Sequence, residues 1–225
     1  MSNRRHPFIN NYIYHIFNKT IDGKRIFSDK KICETFLEVI RYYRSSESNL
    51  RYSKHRELPE ELKLNLMNKI EDKNTYRISL LAFTLMPTHY HLILKQNQQN
   101  GISFFMSQIQ NSITRFYNLK EGRKGSIFLQ TFKSKLIESE AQLKHTTRYV
   151  HLNIFSGGLI KELADIVDYP FSSFNEYVIP TGKILSEPDY ALSMFDNNRE
   201  RYKSFVFDNA EHQKMLEFCK YAKKW

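Results

Sequence analysis

The sequence predicts a mixed α/β domain in which strands are interleaved with amphipathic helices, and three observations carry that reading. Runs of large apolar residues of strand length occur at residues 12–17, 77–86, 90–95 and 127–137. Between them lie longer stretches whose apolar residues recur at helical spacing. The chain of 225 residues is 41% hydrophobic, which supports one sizeable core, so a single domain with a helical appendage is expected rather than two full domains.

In order along the chain, Tyr12 to Phe17 alternates large apolar and less apolar side chains as a strand does, and Asp22-Gly23 marks a turn. Ser28 is placed to cap a helix running to about Arg44, with Ile32, Phe36, Leu37, Ile40 and Tyr43 on its buried stripe. Residues 45–75 are polar around a short helix carrying Leu62, Leu66 and Ile70, and read as an insertion or lid. Arg77 to Met86 is a second strand and Tyr90 to Lys95 a third. Pro87-Thr88 bends the chain between them, as a hairpin or as one bent strand.

Gly101 opens a helix with Ile102, Phe105, Met106, Ile109, Ile113, Phe116 and Tyr117 on one face. Gln108, Asn111, Arg115 and Asn118 on the other face read as solvated unless that face borders a site. Lys120 to Gly125 is a basic, glycine-bounded loop that suits either solvent or a phosphate backbone, and Ile127 to Ile137 follows as a strand. Ser139-Glu140-Ala141-Gln142 fits a capping box, starting a helix that ends near Gly157-Gly158 with Leu143, Thr147, Val150 and Ile154 as its core stripe. Tyr149 and Asn153, one turn apart, share the flank of that stripe. From Asp168 onward the chain reads as short helices and loops, ending in a basic helix over 211–225.

Charge narrows the partners. The net charge is +10, and the 34 lysines and arginines are spread along the chain, which favours a polyanion, nucleic acid first. Cys33 and Cys219 form neither a metal nor a redox spacing, which points to a reducing cytoplasm. No segment has the length and apolarity of a membrane span or a signal peptide, so a soluble cytoplasmic protein without membrane contact is expected.

The most informative run is Leu85-Met86-Pro87-Thr88-His89-Tyr90-His91-Leu92-Ile93-Leu94. On a strand, His89 and His91 share one face while Tyr90 and Leu92 enter the opposite layer, an arrangement that suits a shared metal ion. A His-x-His pair by itself arises often by chance. Four further segments add to it: YHIFNKTIDGKRIF from Tyr14 to Phe27, GRKGSIFLQTFKSKLI from Gly122 to Ile137, RYVHLNIFSGGLI from Arg148 to Ile160 and DYPFSSFNEY from Asp168 to Tyr177.

Together these five segments, in this order, resemble the single-tyrosine HUH transposases, especially the REP-associated tyrosine transposase branch of the IS200-like group. The resemblance runs from about Tyr12 to Tyr177. It implies a ferredoxin-like α/β (α+β) fold, with an antiparallel sheet and packed helices, in a catalytic domain over 1–180. Residues 45–75 are then its insertion or lid, and 181–225 a helical basic extension. It further implies that His89, His91 and Asn153 hold Mg²⁺ or Mn²⁺ and that Tyr149 is the nucleophile. The reaction it implies is cutting and rejoining of single-stranded or hairpin DNA through a 5′-phosphotyrosine, with a homodimer as one possible assembly.

A phenol with an ordinary pKa near ~10 needs such help to attack phosphorus at neutral pH. Arg115, Arg123, Lys124 and Lys133 are the candidate DNA contacts. His151 reads as a packed residue, and His15, on the first strand, could line the site, though packing is the simpler reading. The chain departs from the family pattern in three places: the run Ile154 to Gly158 stands where Pro-Val-Arg-Ala-Gly is usual, Thr88 replaces asparagine, and Phe128 replaces tryptophan. The serine at 156, where arginine is usual, puts DNA contacts at that helix end in question. Two other readings remain: a domesticated hairpin-binding protein that no longer cuts, and a metal-dependent hydrolase of small phosphoesters.

Overall fold

The computed structural model describes residues 7–180 and 184–222, with side chains through residue 219. Four strands, β1 (Ile13–Lys19), β2 (Ile78–Met86), β3 (His89–Gln96) and β4 (Lys133–Ile137), form one antiparallel sheet in the order β2-β3-β1-β4. Helix α1 (Lys30–Tyr43) follows β1, and the short α2 (Tyr52–Arg56) and α3 (Glu60–Ile70) precede β2. Helix α4 (Gly101–Lys120) links β3 to β4. Setting the two short helices aside, the succession is the βαββαβ order of ferredoxin-like folds, as the sequence led us to expect. Helix α5 (Glu140–Ser156) then crosses to the other side of the sheet, followed by α6 (Phe174–Val178), α7 (Asp189–Leu192), α8 (Arg199–Phe207) and α9 (Ala210–Ala222).

The pleat sorts side chains between two layers. Tyr14, Ile16, Leu80, Phe83, Tyr90, Leu92 and Leu94 join Phe36, Ile40, Phe105, Ile109 and Ile113 in a core beneath α1 and α4. Leu81, Ala82 and Ile93 face the other way, into a core with Val150, Ile154, Phe174 and Tyr202. A β-bulge at Leu80/Ala82 resets the alternation in β2, which is how neighbouring Leu81 and Ala82 reach the same layer.

Pro87-Thr88 makes a two-residue hairpin with Met86 opposite His89, which decides between the two geometries left open by the sequence. The carbonyls of the turn are both engaged: Pro87 accepts from Phe27 N–H at 3.1 Å and Thr88 from Thr20 N–H at 2.8 Å. The outer edge of β2 is covered by residues 171–173, where Leu85 N–H donates to Phe171 and Ser173 N–H to Phe83. That cover explains why β2 is buried along its whole length.

Two local expectations shift. Asp29, not Ser28, caps α1, its carboxylate accepting from Lys31 N–H at 2.8 Å and Ile32 N–H at 3.2 Å. Residues 26–28 are spent in a 3₁₀ turn, so Asp29 is the extended residue at the helix entrance, and its charge suits the positive helix end. The strand expected over 127–137 is regular only from Lys133. Phe17 pairs with Lys133 but Thr20 with Phe128, so two extra residues loop out between these pairings while Ile127 and Phe128 tuck into the core.

Residues 45–75 fold back on α1: Tyr52 and His55 pack on Tyr42, and Glu71 pairs with Arg41 and Arg44. Helix α1 lies across the sheet from the histidine face. Among the described residues, no helix is long and apolar enough to cross a membrane.

Candidate catalytic site

The alternation of β3 places His89 and His91 on the α5 side of the sheet, and β1 brings His15 to the same side. His15 Nε2 and His91 Nδ1 are hydrogen-bonded at 2.9 Å, and both rings are buried. Phe17 stacks on His91 with ring centroids 5.7 Å apart. The Tyr149 ring from α5 stands edge-on to both imidazoles, 5.6 Å from His91 and 5.9 Å from His15. His89 lies 5.2 Å from His91 between ring centroids, its Nδ1 held by Thr88 Oγ1 at 3.0 Å. Thr88, a departure from the family pattern, therefore orients a site histidine.

Helix α5 carries the rest. Ser139 Oγ accepts from Gln142 N–H at 3.2 Å, while Gln142 Oε1 accepts from Glu138 N–H at 2.6 Å, so the box closes one residue earlier than its usual form. At the far end, Gly158 N–H donates to Phe155 and Leu159 N–H to Ile154, a Schellman closure that needs the left-handed conformation Gly158 adopts at φ +71°. Asn153 is buried, and its Nδ2 donates to the Tyr149 carbonyl at 2.8 Å, so the amide oxygen is the end of that side chain suited to a cation. A cavity of about 240 Å³ opens here, lined by Arg25, Thr88, His89, Asn153, Gly157 and Glu217 among others. A larger cavity of about 460 Å³ is lined by none of the site residues and carries Glu38 and Glu176, which suit a polyanion poorly.

Burial pushes His89 down to about 4, helped by Lys19 and opposed by Glu217, and burial with Lys135 nearby pushes His15 down to about 4. Neutral imidazoles are the form a metal requires. Among the described residues no three His, Cys, Asp or Glu side chains are grouped to hold a metal, so a cation would draw on the Asn153 amide oxygen as well as on His89 and His91. Two nitrogens and one neutral oxygen, with room left for phosphate oxygens, fit a hard or borderline divalent ion such as Mg²⁺ or Mn²⁺.

Of the residues singled out in the sequence, His89, His91, Tyr149 and Asn153 come together in one chain. Lys133 sits beside Phe17 on the histidine side of β4, and Lys135, which the sequence did not single out, sits beside His15. Arg123 is tied to Asn118 Oδ1 at 2.9 Å, in the exposed loop that also holds Lys124. Arg115 stands on the exposed side of α4. His151 is structural as expected, fully buried and bonded to Tyr202 Oη at 2.7 Å and Ser173 Oγ at 2.8 Å.

Sequence reasoning weighed His15 as lining the site but favoured packing, and although it foresaw a helix from Glu211 it did not foresee that α9 (Ala210–Ala222) reaches the site. Gln213 of α9 donates to the Tyr149 carbonyl at 3.1 Å and to Ser156 Oγ at 3.3 Å, and one turn later Glu217 lines the cavity. The serine that replaces the family's arginine thus receives the C-terminal helix.

The family described as IS200-like transposases matches residues 51–153, a segment that ends on Asn153 and holds both histidines and Tyr149. Over that segment the chain is similar to the IS200-like transposases. A solved structure of a REP-associated tyrosine transposase bound to a REP hairpin superposes with a TM-score of 0.53 and 16% identity, over 83% of this chain and 94% of that one. At that identity the likeness establishes the fold. No curated protein matches the sequence.

Proposed function

We propose that this protein is an IS200-like transposase of the REP type, a strand transferase that cuts and rejoins single-stranded or hairpin-flanked DNA through a covalent bond to Tyr149. The observation that carries the reading is the Tyr149 ring set edge-on to His91 and His15 within one chain. The phenolic oxygen attacks the scissile phosphorus, the phenolic proton passes to solvent, and the bond to the 3′ oxygen breaks, that oxygen taking a proton from solvent. The products are a 5′-phosphotyrosine and a free 3′-hydroxyl. The covalent bond conserves the energy of the broken one, so a 3′-hydroxyl from another strand can reverse the step without ATP.

His89, His91 and Asn153 would hold Mg²⁺ or Mn²⁺, which when bound polarises a non-bridging phosphate oxygen and offsets the charge that builds there. Arg115, Arg123, Lys124 and Lys133 are proposed to hold DNA phosphates, with Lys135 added by its place beside His15. Tyr149 meets the histidines within one chain, which supports a cut made in cis, with a homodimer as one assembly of the proposed enzyme. The basic charge and the reducing cysteine usage suit work on DNA in the cytoplasm.

Incubation with end-labelled single-stranded hairpin DNAs and Mn²⁺ should give a protein–DNA adduct stable on a denaturing gel. The adduct should vanish in Tyr149→Phe and in His89→Ala. Tight binding without an adduct across the pool would instead establish a hairpin-binding protein that does not cut.

A further inference from the structure

The proposed chemistry assigns His15 no task, yet the structure builds it into the site. Its Nε2 lies 2.9 Å from His91 Nδ1, the rings are nearly parallel with centroids 5.1 Å apart, and the pair is sealed by Phe17 and Tyr149. Hydrogen-bond logic then constrains the protons. With Nδ1 of His91 engaged by His15, a cation could bind His91 only through Nε2. A neutral imidazole that ligates through Nε2 carries its proton on Nδ1. The short contact to His15 must then run from His91 Nδ1–H to the lone pair of His15 Nε2, which places the proton of His15 on its own Nδ1.

We infer that His15 is a positioning residue for the metal site: it accepts the Nδ1 proton of His91, locking that ligand in the tautomer and ring orientation that turn Nε2 toward the cation. The inference rests on the proposed role of His89, His91 and Asn153. In metal sites generally this outer partner is a carboxylate, a backbone carbonyl or water, and its removal weakens metal affinity. Here a buried neutral imidazole takes the place of the carboxylate. No net charge is then added beside the tyrosine, whose phenolate must form during the reaction. The β1–β3 register explains how this partner arises: Phe17 stands opposite His91 and His15 opposite Ile93, so His15 meets His91 on the diagonal of the same face.

The test is Mn²⁺ affinity, measured by calorimetry and by loss of the free-ion electron paramagnetic resonance signal, on the full chain without DNA. His15→Leu, which fills the volume but accepts no proton, should bind Mn²⁺ about ten- to a hundredfold more weakly than wild type. His15→Gln, whose amide oxygen can take the place of Nε2, should recover most of that affinity, to within about threefold. A folded His15→Leu that binds Mn²⁺ as tightly as wild type would overturn the positioning role. A wild-type chain that binds no Mn²⁺ would overturn the metal site itself. Long-range proton–nitrogen NMR on the wild-type protein reads the tautomer of His91 directly and does not depend on the variants folding. A proton on Nδ1 is expected, and a proton on Nε2 would refute the inference.

Discussion

The two faces of the sheet use the same strands for different ends. Toward α1 and α4, Tyr90, Leu92 and Leu94 pack among phenylalanines and isoleucines, and the buried Tyr90 hydroxyl accepts from Gln110 Nε2 at 2.9 Å. Toward α5, His89, His91 and Ile93 from the same strand meet a tyrosine, an asparagine and a third histidine. One residue of register separates a core layer from a reactive one. The first face gives the sheet its rigidity, so that the second can hold polar groups in fixed positions at the edge of a smaller core.

That division is open to direct test. The largest effect belongs to the face that holds the proposed site: Tyr149→Phe removes the proposed nucleophile and should abolish adduct formation while shifting the melting temperature by only a few degrees, as read by calorimetry. On the other face, Leu92→Ala should cost about 2–5 kcal/mol of stability in urea titration. The protein that remains folded should keep its Mn²⁺ affinity. Equal loss of metal binding in Leu92→Ala would break the separation between the faces.

A third effect comes from protonation. Burial pushes the His151 imidazole down to about 3 from an ordinary 6.5, so the folded chain keeps it neutral while the unfolded chain takes up a proton below about 6.5. Stability is therefore full above pH 6.5 and drains as the pH falls toward 3, by on the order of 3 kcal/mol between pH 7 and pH 4. Buried His15 and His89, pushed down to about 4, act in the same direction. The urea midpoint should fall accordingly, and His151→Gln should reduce the slope. An unchanged midpoint at pH 4 would contradict the buried neutral state.

The smallest effect is expected at the rim. Lys133→Ala or Lys135→Ala should weaken single-stranded DNA binding a few-fold and lower the salt dependence by about one counterion each, measured by anisotropy across a salt series.

Much of this was legible in the sequence because its physics is local. The two-residue period of β3 separates His89 and His91 from Tyr90 and Leu92, and the capping residues and paired glycines bound the helix that carries Tyr149 and Asn153. What escaped depends on contacts between distant segments. His15 becomes a site residue only through the pairing of β1 with β3. The one local signal was that Tyr14 and Ile16, on either side of it, share the opposite face. The approach of α9 depends on Gln213 meeting Ser156 across 57 positions, which no period or motif encodes. The late start of β4 follows from two residues that loop out opposite β1, and the sequence from 127 to 137 is apolar enough to conceal them.

Tyr149, among 14 tyrosines, is the residue proposed to bond to DNA. The most direct measurement traps the adduct with a hairpin oligonucleotide and Mn²⁺, digests protein and DNA, and locates the residual 5′-phosphonucleotide by tandem mass spectrometry. The expected site is Tyr149 of the α5 peptide. A nucleotide on any other residue would overturn the assignment.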